Sequence, residues 1–137
     1  MEKNAKIRVI NHQMIDGDTD IIEEGGEGIY SCRGGRHYII YDVNSGDEKS
    51  RVTVIAEGRT VRIKRSGSSG GDMIYDTSKK TAFKYRTPYG ILDMDINTEH
   101  ICNALNAEPK KLRLKYVLTM QGQRTYNDTE ILIEDIL

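Results

Sequence analysis

Between Lys111 and Met120 the chain alternates without interruption: Leu112, Leu114, Tyr116, Leu118 and Met120 stand against Lys111, Arg113, Lys115, Val117 and Thr119. A period of two does not fit a helix, whose apolar face repeats every 3.6 residues, but it divides a strand into a core face and a water face. The same period runs through Ile7 and Val9, through Val52, Val54 and Ala56, through Val61 and Ile63, through Ala82 to Thr87 and through Leu92, Met94 and Ile96. Turn-forming clusters separate these runs: Asp16-Gly17-Asp18, Gly34-Gly35, Asn44-Ser45-Gly46-Asp47, Glu57-Gly58-Arg59, Ser66 to Gly71, Ser78-Lys79, Pro88-Tyr89-Gly90, Glu108-Pro109 and Gln121-Gly122.

About eight to ten short strands follow from this spacing. The only two prolines, Pro88 and Pro109, lie beside turns, where they break no ladder. Helix is nearly absent; Ile101 to Leu105 is the best candidate for one, and it is short. Sequential hairpins predict a single all-β domain over residues 1–137, an antiparallel, mostly up-and-down barrel whose closure removes exposed edges. About eight strands enclose an interior that side chains fill or that holds one small ligand.

Composition narrows the function classes. With 37% hydrophobic and 30% charged residues the 137-residue chain can bury one real core. No apolar run approaches the ~18 residues of a spanning helix, so no membrane association is expected. The opening Met1 to Lys6 is polar and leads into no signal-peptide core, so a cytoplasmic protein is expected. Cys32 and Cys102 form no Cys-x-x-Cys pair; two free, mostly buried thiols are expected, and a single disulfide between them is the alternative. Net charge is −1, yet Lys49 to Arg86 holds ten basic residues against Glu57, Asp72 and Asp76, while Asp16 to Glu27 holds six acids and no base. A barrel can therefore carry a basic and an acidic region. Alternating strands also place such charges on a solvated face, which is the preferred reading.

Several stretches lie in an order met elsewhere: Arg65-Ser66-Gly67, then Asp72-Met73-Ile74-Tyr75, then Lys84 to Gly90 with its Tyr85-Arg86-Thr87-Pro88-Tyr89-Gly90 turn, then Thr98. In these the chain resembles the YwiB-like family of bacterial proteins, a domain of unknown function, over nearly its whole length. The resemblance implies a calycin-like, that is lipocalin-like, barrel and implies no activity. Secreted lipocalins carry a Gly-x-Trp motif near the first strand. This chain has no Trp, so a secreted carrier is a poor reading.

Chemistry-bearing residues are sparse. His100 and Cys102 sit two apart on one strand face, but a zinc site needs three or four ligands, and no metal or cofactor is expected. No Gly-x-Ser-x-Gly elbow occurs, and Cys32 and Arg33 point to opposite faces. Gly67-Ser68-Ser69-Gly70-Gly71 lacks the Gly-Lys-Ser/Thr and helix of a phosphate loop and reads as a hairpin loop. Asp93 and Asp95 share the face opposite Leu92, Met94 and Ile96, so both face water. Nothing here makes an enzyme.

Two features suit a ligand. Eight Tyr stand beside one Phe, and Tyr combines an apolar ring with a polar tip. Tyr75, Tyr85 and Tyr116 lie in strands and are candidates to line an interior, with Arg65 and Thr87 near them. Arg124-Thr125-Tyr126 is similar to the carboxylate-binding pair of intracellular fatty-acid-binding barrels, since Arg holds a carboxylate by two parallel bonds; its place after Gln121-Gly122 also allows it to sit in a turn. The expected function is a noncatalytic barrel that binds a small amphipathic or anionic molecule. The alternative is an interaction module that uses Arg51, Arg62, Lys64, Lys84 and Arg86, with Tyr85 or Tyr89, for RNA or an acidic protein. Alternation sets Tyr85 opposite Lys84 and Arg86, so nucleic acid is not favoured. A monomer or homodimer is expected, with the apolar tail Ile131 to Leu137 closing the sheet or contributing to a subunit contact.

Overall fold

The computed structural model describes residues 2–45 and 48–136. Ten strands run in chain order: β1 Glu2–Ile15, β2 Asp18–Arg33, β3 Arg36–Ser45, β4 Glu48–Glu57, β5 Thr60–Gly67, β6 Gly71–Asp76, β7 Thr81–Thr87, β8 Gly90–Ala104, β9 Lys110–Met120 and β10 Gln123–Asp135. They form one sheet in the order β6-β5-β4-β3-β2-β1-β10-β9-β8-β7, every neighbouring pair antiparallel. Apart from the β1–β10 pair, each neighbour is next in sequence, which makes an up-and-down meander. The sheet curls until its two edges meet. There Gly70 N–H donates to Arg86 O at 2.9 Å, and Arg86 N–H donates back to Gly70 O at 2.7 Å. The barrel is thus nearly closed.

Turn chemistry sets the register. Asp16-Gly17, Gly34-Gly35 and Gln121-Gly122 each place two successive residues at positive φ, the twist that lets a two-residue hairpin match its strands. Part of the Asn44 to Asp47 turn, and Leu137 at the end of the tail, lie outside the described residues. Of that tail, Ile131 and Ile133 are buried in β10, which pairs with β1 in the middle of the sheet and is not the closing edge.

Ile101 to Leu105 is not helical. Ile101–Ala104 ends β8, after a bulge between Thr98 and His100 that shifts the inward phase from even to odd residues. Leu105, 1% exposed, turns in and plugs that end of the barrel. This closed end holds the densest packing: Ile7, Ile39, Val54, Val61, Leu112, Leu114 and Ile131 are fully buried. Each such side chain contributes roughly 1.5–3 kcal/mol of burial. Both cysteines are free; Cys32 is half-buried, but Cys102 is exposed, paired with Arg113 on the outer face. The bulge explains why it is not a core thiol.

His37 is also at the closed end and 1% exposed. Its Nδ1 lies 2.7 Å from the Tyr30 hydroxyl, and Lys110 Nζ sits 5.7 Å from the Tyr30 ring centroid. Burial holds the imidazole below its ordinary pKa of 6.5 and the Tyr30 phenol above its own. The folded state therefore favours neutral His37, and the unfolded chain binds the proton first as pH falls. Stability is expected to be level above pH ~6.5 and to decline below it as pH drops toward the folded pKa. A His37→Gln variant should lose that decline in thermal melts between about pH 7 and pH 5; an unchanged pH slope would sink the assignment.

Candidate functional site

The two ends of the barrel differ. Inward residues at the end opposite Leu105 stay only partly covered: Met73, Phe83, Tyr85, Leu92, Met94 and Leu118 are all half-buried. Polar side chains also point inward there. Asn11 donates from Nδ2 to Asn127 Oδ1 at 3.1 Å and accepts from Thr129 Oγ1 at 2.8 Å. Thr98 Oγ1 is buried and has no hydrogen-bond partner among the described residues. A barrel that only had to be filled would place apolar groups at these positions, because an unpaired buried hydroxyl is costly.

The main constellation joins β2, β3 and β5. Glu24 pairs in register with Val9 of β1, which puts it on the inner face. Arg65 Nη2 donates to both Glu24 oxygens, at 2.8 and 2.7 Å. The Tyr41 hydroxyl donates to Glu24 Oε2 at 2.8 Å. The side chains of Arg65 and Glu24 are 22% and 24% exposed. Burial opposes the charge on Arg65, but the Glu24 hydrogen bonds and charge outweigh it, so the guanidinium stays charged with its pKa raised. Burial, then the Glu24 carboxylate, pushes the Tyr41 phenol far above its ordinary value and keeps it a donor. Among the described residues, the Nε and Nη1 donors of Arg65 have no partner. Arg65 and Glu24 line a cleft of about 390 Å³ together with Ile22, Gly25, Val43 and Ser50.

The structure brings together four of the candidates read from sequence. Arg65, Tyr75, Tyr85 and Tyr116 all face inward. Tyr75 and Tyr116 pack edge to face, ring centroids 4.8 Å apart, and burial raises both phenols. Thr87 ends β7 and braces the turn that follows: its Oγ1 donates to Gly90 O at 2.8 Å and accepts Tyr89 N–H at 3.2 Å. Arg124 and Tyr126 lie on the outer wall, since the inward phase of β10 is Thr125, Asn127, Thr129 and Ile131. They line an outer cleft of about 270 Å³ with Lys80 and Asp95. The fatty-acid-barrel comparison therefore fails on geometry. Glu24 and Tyr41 escaped the sequence reading, Glu24 because it sits in an acidic run that looks solvated.

The basic surface is largely matched by acids on neighbouring strands. Arg51 pairs with Asp42, Arg62 with Asp72 and Lys84 with Asp93, while Arg86 donates to Gly67 O at 3.4 Å. Tyr85 faces inward, away from that surface, and Tyr89 stands fully exposed in a turn. In the 67–71 loop, Gly70 N–H is spent on Arg86, so it is not free for an anion. His100 and Cys102 are exposed, and the described residues contain no cluster of three metal-ligating side chains.

Among curated proteins none matches the chain. The crystal structure of the ywiB protein from Bacillus subtilis superposes with a TM-score of 0.89 at 21% identity, covering 99% of this chain and 94% of that one. At that identity the likeness shows the fold, a ten-stranded barrel. Residues 7–133 match the family described as "Domain of unknown function (DUF1934)". The match spans nearly the whole barrel, and the chain belongs to the DUF1934 family.

Proposed function

We propose that this chain is a noncatalytic, calycin-like barrel that binds a small amphipathic molecule, anionic head first, at its open end. The observation that carries the reading is Arg65. Its guanidinium is held inside the barrel mouth by Glu24 through one nitrogen, and among the described residues Nε and Nη1 have no partner. Those donors can hold a carboxylate or phosphate by charge-assisted hydrogen bonds. Half-covered Phe83, Leu92, Met94 and Leu118 face the interior from β7, β8 and β9 and would offer an apolar tail its contacts. Glu24 sets the selectivity: its charge opposes an anion, so binding is modest until that charge is removed.

Calorimetric titration with octanoate tests this. The wild-type barrel is expected to bind saturably. Glu24→Gln, which keeps an acceptor for Tyr41 but removes the charge, should tighten binding about threefold, and Arg65→Met should weaken it by about tenfold, or 1.4 kcal/mol. Octanol, with the same tail and no charge, should bind as weakly as octanoate binds Arg65→Met. If Arg65→Met holds octanoate as well as wild type, the reading is wrong.

The runner-up, a basic surface for RNA or an acidic protein, has less behind it, because three of its five basic residues already face carboxylates across the strand.

A further inference from the structure

Strands β2 and β3 pair over only part of their length. Their ladder runs from Arg33↔Arg36 to Gly28↔Tyr41 and stops. Continued in register it would set Glu27 against Asp42 and Gly25 against Asn44. Two causes for the stop are visible. Glu27 and Asp42 are like charges that would lie directly opposite, which disfavours the pair. Gly25 and Gly26 adopt φ of 141° and 153°, which turns β2 away while its pairing with β1 continues to Ile15↔Asp18.

Among the described residues the result is a long unpaired edge. The two-residue turn makes Ile15 and Asp18 a hydrogen-bonded pair, so even-numbered residues of β2 bond β1 and odd-numbered ones point the other way. Among the described residues, the backbone N–H and C=O groups of Thr19, Ile21, Glu23, Gly25 and Glu27 therefore meet no strand. Proteins usually guard such edges with Lys, Pro or a cover. Asp16 to Glu27 has no Lys, Arg or Pro, and it carries Ile21 and Ile22 at 64% and 48% exposure, one on each face.

We infer that this edge of β2 accepts an extended segment of another protein as an added strand, and that the segment alternates basic with apolar residues. Charge selects the occupant. Among the described residues Asp18, Asp20 and Glu27 are in no ion pair, and Asp18 and Asp20 share the inner face. A second copy of this chain would set acid against acid along β2. A basic residue beside Asp18 and Asp20 on one face, with an apolar residue beside Ile21 on the other, satisfies both. Backbone hydrogen bonds supply the affinity and the alternate side chains the selectivity. The edge borders the cleft beside Arg65, which Glu23 and Gly25 also line, but it uses backbone groups and not the Arg65 guanidinium, so peptide and octanoate titrations read the two sites separately.

A fluorescein-labelled peptide alternating lysine and valine is the probe. Anisotropy should show saturable binding that weakens about tenfold as salt rises from about 50 to about 300 mM. Bound peptide should slow amide exchange at Thr19, Ile21 and Glu23. Ile21→Pro removes an edge donor that β1 does not use, and should weaken binding by about tenfold. Asp18→Lys with Asp20→Lys, which leaves the backbone intact, should do the same. The proposal is overturned if Ile21→Pro binds like wild type, if a glutamate–valine peptide binds equally, or if protection maps to other strands. A β2 edge protected by self-association, with doubled mass, overturns it too.

Discussion

Gly28→Ala is expected to destabilise the barrel by about 3 kcal/mol or more. Gly28 lies where β2 is still clamped on both sides, opposite Ala5 of β1 and Tyr41 of β3. A Cβ there would stand 2.2 Å from the Ile40 carbonyl oxygen and 3.1 Å from both Ile7 Cγ1 and Tyr41 Cβ. The first contact is with backbone, so no rotamer relieves it; the strands must separate, and the ladder hydrogen bonds go with them. Gly17→Ala is the contrast. It sits in a turn at φ 84° with nothing within 4 Å, so it carries only conformational strain, about 1 kcal/mol. Urea unfolding midpoints for the two variants read the difference directly. Equal midpoints would mean that β2 and β3 do not approach as closely as the structure has them.

The second large effect concerns the pair inside the mouth. Glu24→Gln alone leaves the Arg65 charge half-buried with a neutral partner, and Arg65→Met alone leaves the Glu24 carboxylate with only Tyr41. Each is expected to cost about 2 kcal/mol, below the 3–5 kcal/mol of a fully buried pair because water still reaches roughly a quarter of both side chains. Glu24→Leu combined with Arg65→Met removes both charges and should recover most of the loss, since apolar replacements of a buried pair are often neutral. That non-additivity is the readout. Losses that simply sum would show the two side chains to be independent. The double variant also serves as a folded control that lacks the anion site.

Much of the fold was legible in the chain. Leu112 to Met120 and Val52 to Ala56 alternate cleanly because one face is core and the other water, and their inward phase is the one observed. The turns were equally plain, since Asp-Gly, Gly-Gly and Gln-Gly supply the positive φ that tight hairpins need. Legibility failed where the period breaks. The bulge after Thr98 flips the phase of β8, so Ile101 to Leu105 lost its strand signature and looked helical. In β2, Ile21-Ile22 and Gly25-Gly26 give two adjacent residues the same character, and the inward direction of Glu24 cannot be read through them. Tyr41 follows Tyr38-Ile39-Ile40, apolar on both faces, so its aim was equally hidden. Arg124 and Tyr126 are different: counting back by twos from buried Ile131 gives Asn127 and Thr125 as inward, which already sets Arg124 and Tyr126 outside.

Whether Arg65 sits in a mouth that receives an anionic amphiphile is decided most directly by the native mass of protein purified without exogenous ligand, then titrated with octanoate. The account predicts a discrete ligand increment in wild type that vanishes on denaturation, is enriched in Glu24→Gln and is missing from Glu24→Leu with Arg65→Met. A native mass equal to the bare chain throughout the titration, or an increment carried equally by the double variant, would contradict it.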